Sequence, residues 1–325
     1  MKTNLSKIAA VAAVFTMSFY ANAQDVQMAT LQHGDQMSAY YGVNAFYDAM
    51  VNAQQGDLIS LSAGNFGGAN IKSAVTIQGA GYIQDPENGR YRTVITGNIN
   101  ISVPEDQSGL CIEGLYCDNN LYFTTNAKNF EIKKSYINYI YLYNDNIVLN
   151  NGQFNQNYIQ SLSLRGSKNI LVNKCIVWNL SSNNESTVSI KNCYIYSGSS
   201  CYGTYENNII YYHNSNSAYY NNVHYNSIGS AVASNNYYLE LDSNFFNIFT
   251  DSNKADEFSI DYDYRLTSSA AAQYLGTDNT QVGLYGTDKP FTNVPTNPQI
   301  TSKEVAKETD ANGKLSVKFT VEAQQ

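Results

Sequence analysis

Along the middle of the chain one unit recurs: an apolar residue, two variable residues, a small residue or Asn, one variable residue, then usually a second apolar residue. Clear copies begin at Ile132, Leu149, Val172, Ile190, Val223 and Leu241, and weaker ones at Ile77, Val94, Ile112 and Tyr205. From Ile77 to Leu241 successive copies lie 15 to 23 residues apart, with a mean of about 18. No helical repeat is so short and a propeller blade is more than twice as long, whereas one coil of a parallel β-helix fits. Short β-branched and aromatic runs alternate with clusters of Asn, Ser and Gly, and Asn suits the turns because it tolerates left-handed backbone. Coils stacked at about 4.8 Å place the same slot above itself. Asn208, Asn226 and Asn244 are therefore predicted to form an amide ladder, and Ile, Leu, Val and Phe in the inward slots supply the core.

The flanks differ from the repeat. Residues 24–43 form a lead-in, and Asn44 to Ala53 reads as a helix, with Asn44 as its cap, Phe46, Met50 and Ala53 on one face, and Gly56 after its end. A helix there plugs the open mouth of the first coil, whose unpaired edge is otherwise exposed. Asp57 to Leu61 alternates like a first strand. From about Asp256 the pattern changes to Asp261-Tyr-Asp-Tyr-Arg-Leu266 and then to a Gly-punctuated stretch ending at Pro290 and Phe291. Beyond Pro295 and Pro298, a last strand places Leu315, Val317, Phe319 and Val321 on one face and Ser316, Lys318 and Thr320 on the other, as a cap or edge strand. The expectation is one all-β domain, a right-handed parallel β-helix of roughly ten coils over residues 57–260. A lead-in and helix cap (24–56) precede it, and a C-terminal coil and capping strand (261–325) follow.

Residues 1–23 read as a secretory signal peptide, with Lys2 and Lys7 before the apolar stretch Ile8–Tyr20 and Ala21-Asn22-Ala23 as a cleavage site. The stretch is too short to span a bilayer, and Gln24 stands where a lipoprotein needs Cys. The protein is thus expected to be exported, to the periplasm, the cell surface or the medium, without membrane insertion. Loss of the two lysines moves the formal charge from −8 to −10. An acidic chain with no basic stripe argues against nucleic acid and anionic lipid, and fits a strongly anionic polysaccharide poorly. Five cysteines leave at least one thiol unpaired. Cys175 and Cys193 share one repeat slot; a buried ladder of small side chains accounts for them better than a disulfide or metal pair, since Ser135, Gly152, Asn208 and Asn226 fill the same slot. No Cys-x-x-Cys is present, His33, His213 and His224 share no ligand spacing, and Asp261 and Asp263 lack a calcium loop around them, so no metal or cofactor is expected.

The run from Gly42 through Ala53, followed by Gly56-Asp-Leu-Ile-Ser-Leu61, Gly64-Asn-Phe66 and Val75-Thr-Ile-Gln-Gly-Ala-Gly81, resembles the start of pectate-lyase-like right-handed parallel β-helix proteins. Asp263-Tyr-Arg-Leu266, Thr277-Asp278, Val282-Gly-Leu-Tyr-Gly286 and Pro290-Phe291 are similar to the ending of secreted β-helix repeat proteins of the Bacteroidetes type, except that Thr267-Ser-Ser-Ala-Ala271 replaces their Gly-Ser-Pro-Ala turn. The resemblance implies the fold. It does not imply one activity, since such proteins include lyases, hydrolases and adhesins. The Asn-Thr-Asp, Gly-Asp-Asp, Gly-His-Gly and Arg-Ile-Lys motifs of polygalacturonases are absent, as are the Trp-x-Asp-His and Arg-x-Pro-x-x-Arg motifs of pectate lyases. No catalytic residue transfers by motif.

Stacking alone predicts an outward stripe of Glu113, Lys133, Asn150, Asn173, Lys191, Glu206 and His224. Lys191, Glu206 and His224 on three successive coils offer a base and a cation of the kind a lyase needs; the plain alternative is a solvated face with Lys133–Glu113 and Lys191–Glu206 as charge pairs. The 28 tyrosines are the more unusual feature. Alternation sends Tyr139, Tyr141 and Tyr143 to the face opposite Ile140 and Leu142, and Tyr116, Tyr136 and Tyr194 share another outward-leaning position. Exposed rings cover the apolar C–H faces of sugars while phenols bond hydroxyls, though tyrosine is also a favoured strand residue. The residues thus favour an exported protein binding polysaccharide along a Tyr-rich face. A polysaccharide lyase or glycoside hydrolase, and a structural or adhesin-like surface protein, stay open.

Overall fold

Each coil is built from runs of two to nine residues whose alternate side chains are largely apolar, and in a parallel stack these runs pair strand on strand while the apolar set turns inward. The computed structural model describes residues 27–88, 90–213, 216–225, 232–239, 245–251, 258–296 and 299–322. The predicted signal peptide, Asn226, Leu241 and Asn244 lie outside the described residues. The architecture is a right-handed parallel β-helix of about ten coils.

The first sheet stacks, from coil one to coil ten, Leu58–Leu61, Thr76–Gln78, Cys111–Glu113, Glu131–Lys133, Gln153–Asn155, Ile170–Asn173, Val188–Lys191, Thr204–Glu206, Ala218–Tyr220 and Ala233–Ser234. The second sheet stacks the strands that follow each of these, from Gly64–Phe66 to Tyr237–Leu239. A third side is partly paired, as in Ala127–Lys128 on Leu149–Asn150. Ile59, Ile77, Ile112, Ile132, Phe154, Val172, Ile190, Tyr205 and Tyr219 form one continuous inward column, each fully buried. Coil length is uneven, from 14 residues between Tyr205 and Tyr219 to 35 between Ile77 and Ile112, where residues 79–88 and 90–92 loop out.

The corner between the two sheets repeats the same geometry. A left-handed residue turns the chain (Lys134, Gln156, Lys174, Asn192, Asn207, Asn221 and Asn235, φ between 47° and 59°). The next residue points its side chain inward under the coil before it. There Ser135, Asn157, Cys175, Cys193, Asn208, Asn222 and Asn236 form an unbroken ladder. Each backbone N–H in it donates to the next side chain: Ser135 to Asn157 Oδ1 (3.0 Å), Asn157 to Cys175 Sγ (3.4 Å), Cys175 to Cys193 Sγ (3.3 Å) and Cys193 to Asn208 Oδ1 (2.8 Å). Asn208 and Asn222 continue it to Asn222 Oδ1 and Asn236 Oδ1 (2.8 and 2.9 Å). The amide Nδ2 atoms cap carbonyls of the preceding coil, such as Ile190 O from Asn208 (2.8 Å). The turn leaves these groups without strand partners, and the ladder satisfies them. All five cysteines are free, and Cys175 and Cys193 serve as rungs.

The ladder corrects the predicted register. Copies at Ile77, Ile112, Ile132, Val172, Ile190 and Tyr205 are in phase; those at Val94, Leu149 and Val223 are not. Leu149 belongs to the third side, and Gly152 is small because a Cβ there would lie 2.2 Å from the Phe130 ring. The rung of that coil is Asn157. Asn222 and Asn236, not Asn226 and Asn244, continue from Asn208. Phe246, assigned to the copy at Leu241, lies in a 3-10 turn, Phe246–Ile248.

The lead-in forms an antiparallel hairpin, Met28–His33 with Gln36–Tyr41, whose first strand pairs antiparallel with Leu58–Leu61 and closes that edge of the first sheet. Helix α1, Ala45–Asn52, buries Ala45, Phe46, Ala49 and Met50 against coil one. Asn44 precedes it without a side-chain cap bond, contrary to expectation; its carbonyl accepts from Asp48 N at 2.9 Å. Residues 245–251 and 258–296 double back along the solenoid as a strap. The terminal strand, Leu315–Glu322, pairs antiparallel with Gln299–Thr309 as a hairpin of its own. Among the described residues no helix is long and apolar enough to cross a membrane.

Candidate functional site

The strap decides which tyrosines are available. It is tied to successive corners of the coil stack in reverse order. Leu275 N–H and O bond Tyr237 OH (3.4 and 3.3 Å) on coil ten. Thr277 N donates to Asn207 Oδ1 (2.9 Å) and Thr277 Oγ1 to Glu206 Oε1 (3.0 Å) on coil eight. Lys174 Nζ reaches Thr287 Oγ1 (2.6 Å) and Lys289 O on coil six, and Gln156 Nε2 reaches Pro290 O (3.2 Å) on coil five. Thr296 donates through N and Oγ1 to Glu113 (2.6 and 2.7 Å) on coil three, a carboxylate only 1% exposed with Lys133 Nζ 3.8 Å away.

Ahead of the first tie the strap lays Phe249, Tyr264 and Tyr274, and before the last tie Phe291, on the outer row of the second sheet nearest the corner. That row is Tyr116, Tyr136, Tyr158, Ile176, Tyr194, Ile209, Val223 and Tyr237 in register. Tyr194 packs on Tyr264 (4.9 Å between centroids) and Phe249 (5.5 Å) and is fully buried. Tyr116 and Tyr136 stack at 4.4 Å, with the Arg92 guanidinium 4.0 Å over Tyr116 and Phe258 5.9 Å from Tyr136. Burial and then the neighbouring Tyr116 push the Tyr136 phenol up to about 12. The outward lean expected for Tyr116, Tyr136 and Tyr194 is therefore real, but the strap covers Tyr194 fully and reaches Tyr136, and Arg92 lies over Tyr116. Nothing local in the sequence forecasts a cover that arrives from a segment more than fifty residues later.

Of the next two rows, the first is partly covered, by Phe258 beside Trp178 and by Phe245 and Phe246 on Tyr211, and the second is open among the described residues. In one, Asn138, Gln160, Trp178, Tyr196, Tyr211 and Tyr225 follow coil by coil; in the other, Tyr139, Ser161, Asn179, Ser197 and Tyr212 do so. Trp178 and Tyr196 are parallel at 3.5 Å, Tyr196 and Tyr211 stack at 5.0 Å, and Tyr211 and Tyr225 at 4.4 Å. Ile140 turns inward and is fully buried, while Tyr139 and Tyr141 turn outward, their rings stacked at 5.5 Å, with Tyr122 of the previous coil 6.1 Å from Tyr141. Tyr143, just past the strand end, is 71% exposed. Reading residues by type along one strand found Tyr139, Tyr141 and Tyr143. Trp178, Tyr196, Tyr211 and Tyr212 escaped it because their row is defined across coils and needed the correct register.

The charged stripe lies on the first sheet. Glu113, Lys133, Asn173, Lys191 and Glu206 share it as expected, but Asn155 and Tyr220 take the places assigned to Asn150 and His224. Lys191 Nζ sits 2.9 Å from Glu206 Oε2. Burial alone raises the Glu206 carboxyl, yet Lys191 and Thr277 together outweigh it and hold the group below the ordinary carboxylate range. A carboxylate so held is a weak base for proton abstraction.

His224 is not beside this pair. It occupies the second sheet's inward position after Ile195 and Ile210, fully buried, with the rings of His213, Tyr219 and Tyr238 at 5.2, 5.0 and 5.9 Å. Neither ring nitrogen has a hydrogen-bond partner among the described residues. Burial first, and then His213, push its imidazole down to about 3, with Asn236 opposing in part. The structure thus brings two histidines together that sequence spacing kept apart, and separates His224 from Lys191 and Glu206. Among the described residues no cluster of three or more His, Cys, Asp or Glu side chains is placed to hold a metal ion.

No protein-family profile matches the chain, and no curated protein matches it in sequence.

Proposed function

We propose that this is an exported, carbohydrate-associated β-helix protein that binds polysaccharide along the open outer face of its second sheet. The observation that carries the reading is the pair of rows running from Asn138 to Tyr225 and from Tyr139 to Tyr212. They set aromatic rings beside amides and hydroxyls on a rigid, axially repeating surface that the strap touches in the first row, at Trp178, Tyr211 and Tyr225, and leaves open, among the described residues, in the second. Rings match the C–H faces of sugars, amides and hydroxyls match their hydroxyl edges, and a preformed surface avoids ordering costs on binding. Lys191 and Glu206, paired with each other and with Glu206 also bonded by Thr277, do not favour the lyase alternative.

Size-exclusion profiling of plant, host and microbial polysaccharides incubated with the purified protein tests this. Chains of unchanged length that co-elute with the protein, and no longer do so with the double variant Tyr139→Ala/Tyr141→Ala, are expected. Shortened chains would establish an enzyme instead.

A further inference from the structure

The first sheet begins on a strand with a free edge. In the N-terminal hairpin, Gln36–Tyr41 pairs with Met28–His33 on one side, and no described strand lies on its other side. Gly42 N donates to Gln27 O at 2.8 Å, so the alternation of an antiparallel ladder makes Ala29–Tyr40, Leu31–Ser38 and His33–Gln36 the bonded pairs. Met37, Ala39 and Tyr41 therefore point their N–H and C=O groups outward along the edge. The strand has no Lys, Pro or bulge to blunt it, and such an edge is a template for another strand.

The side chains around the edge are apolar and open. Tyr40 turns in onto the core, while Met37 and Tyr41, on the outer face of the sheet, are 68% and 64% exposed. Val43 in the turn and Tyr47 and Val51 on α1 are exposed as well. The exposed parts of these five residues come to roughly 600 Å², the upper end for the largest apolar patch of a monomer and most of what a standard interface takes from each partner. From Gln36 to Tyr47 there is no charged side chain, so two copies of this acidic chain meet here without like charges opposed.

The edge is also complementary to itself. Laid antiparallel on its own copy about a two-fold axis at Ala39, the strand sets Ala39 opposite Ala39 and Met37 opposite Tyr41 of the second copy. These are the positions whose backbone groups are free, so each finds a partner, and the smallest side chain lies on the axis. Helix α1 packs over both strands of the hairpin, so the axis sets the two helices two strand spacings, or about 10 Å, apart. That is the distance of packed helices, and it brings Tyr47 and Val51 beside the axis.

We infer that this end of the solenoid is an interface for a second copy of the chain, joined strand to strand at Gln36–Tyr41 in the register centred on Ala39. The two first sheets then run on as one.

Sedimentation velocity of the purified protein over a range of about 1 to 100 μM tests it, and a reversible monomer–dimer equilibrium is expected. Ala39→Pro removes an outward N–H at an edge position that tolerates proline, and Ala39→Lys sets like charges opposite each other across the axis. Each should raise the dimer Kd at least about tenfold while the far-UV circular dichroism stays that of the wild type. Cross-linking reads the register. Ala39→Cys places two thiols at the axis with Cα atoms about 5.5 Å apart, within disulfide range, and should give a covalent dimer on mild oxidation. In Met37→Cys the two Cα atoms lie about 14 Å apart along the strands and should not be bridged. The wild type, whose cysteines are all free and none of them exposed, is the control. A monomer at every concentration would overturn the second copy as occupant and leave the edge to a strand of another protein. A dimer that neither Ala39→Pro nor Ala39→Lys weakens would overturn the interface. A covalent dimer from Met37→Cys but not from Ala39→Cys would overturn the register.

Discussion

Acid should loosen the last coils through His224. In the folded chain its imidazole is buried without a partner and titrates at about 3 in place of the ordinary 6.5, so the folded state stays neutral where the unfolded chain already binds a proton. A histidine depressed in this way contributes full stability above 6.5, and that stability drains away as the pH falls from 6.5 toward 3. Integrating the difference at about 1.36 kcal/mol per unit gives a loss of about 2 kcal/mol between pH 7.5 and 5.0. His213, pushed down by its own burial, acts in the same direction. Ile195 and Ile210 fill the same inward position on the preceding coils, so His224→Ile is a substitution the site accommodates. The assay is guanidinium unfolding followed by Trp178 fluorescence, at pH 7.5 and 5.0, for both chains. The wild type should lose about 2 kcal/mol more than His224→Ile across that interval, carboxylate effects being common to both. Hydrogen exchange over residues 218–239 gives a local readout should the coils open separately. Equal losses in the two chains would refute the argument.

Three further expectations concern the ladder, the strap and the thiols. Asn208→Ala strips the partner from Cys193 N–H and Ile190 O and should cost about 3 kcal/mol, while Asn208→Cys, with the rung used one coil earlier, should cost less than half of that in the same denaturation assay. Glu113→Ala removes both bonds to Thr296 from a buried site, for a loss of about 3 kcal/mol read as a lowered Tm; an unchanged Tm would mean the strap is held without this tie. With all cysteines free, reductant should leave Tm unchanged and a thiol reagent should count five groups in denaturant. In the native chain Cys111, the one not buried, should react first but slowly, because burial outweighs Lys133 and pushes its thiol up to about 11.

Particular residues mark where sequence reasoning stops. Cys175 and Cys193 were legible as rungs because a small residue recurs in one slot of successive copies, whereas the left-handed corner at Lys174 and Asn192 was not. Gly152 falls in that slot by spacing too, yet Asn151 turns a different corner of the coil, and Gly152 is small to admit Phe130. Each corner of a coil has the same local grammar of strand, left-handed residue, small residue and strand. A one-corner error is therefore invisible until the strands are paired, and it moved His224 from the buried interior to a supposed outward stripe.

The coil period, the inward apolar column, the Asn-rich turns and the alternating terminal strand follow from the residues themselves. These features depend on side-chain alternation and backbone preference within a few positions. Tertiary structure alone decided the register of the ladder, the meeting of His213 with His224, and the division of the tyrosines into rows. Tyr194 and Tyr139 are equally plausible surface residues within their own strands. One is buried because Phe249 and Tyr264 return to cover it, and the other stays open because no described strap residue reaches its row. Burial by a distant segment is a long-range contact, and no local pattern of residues encodes it.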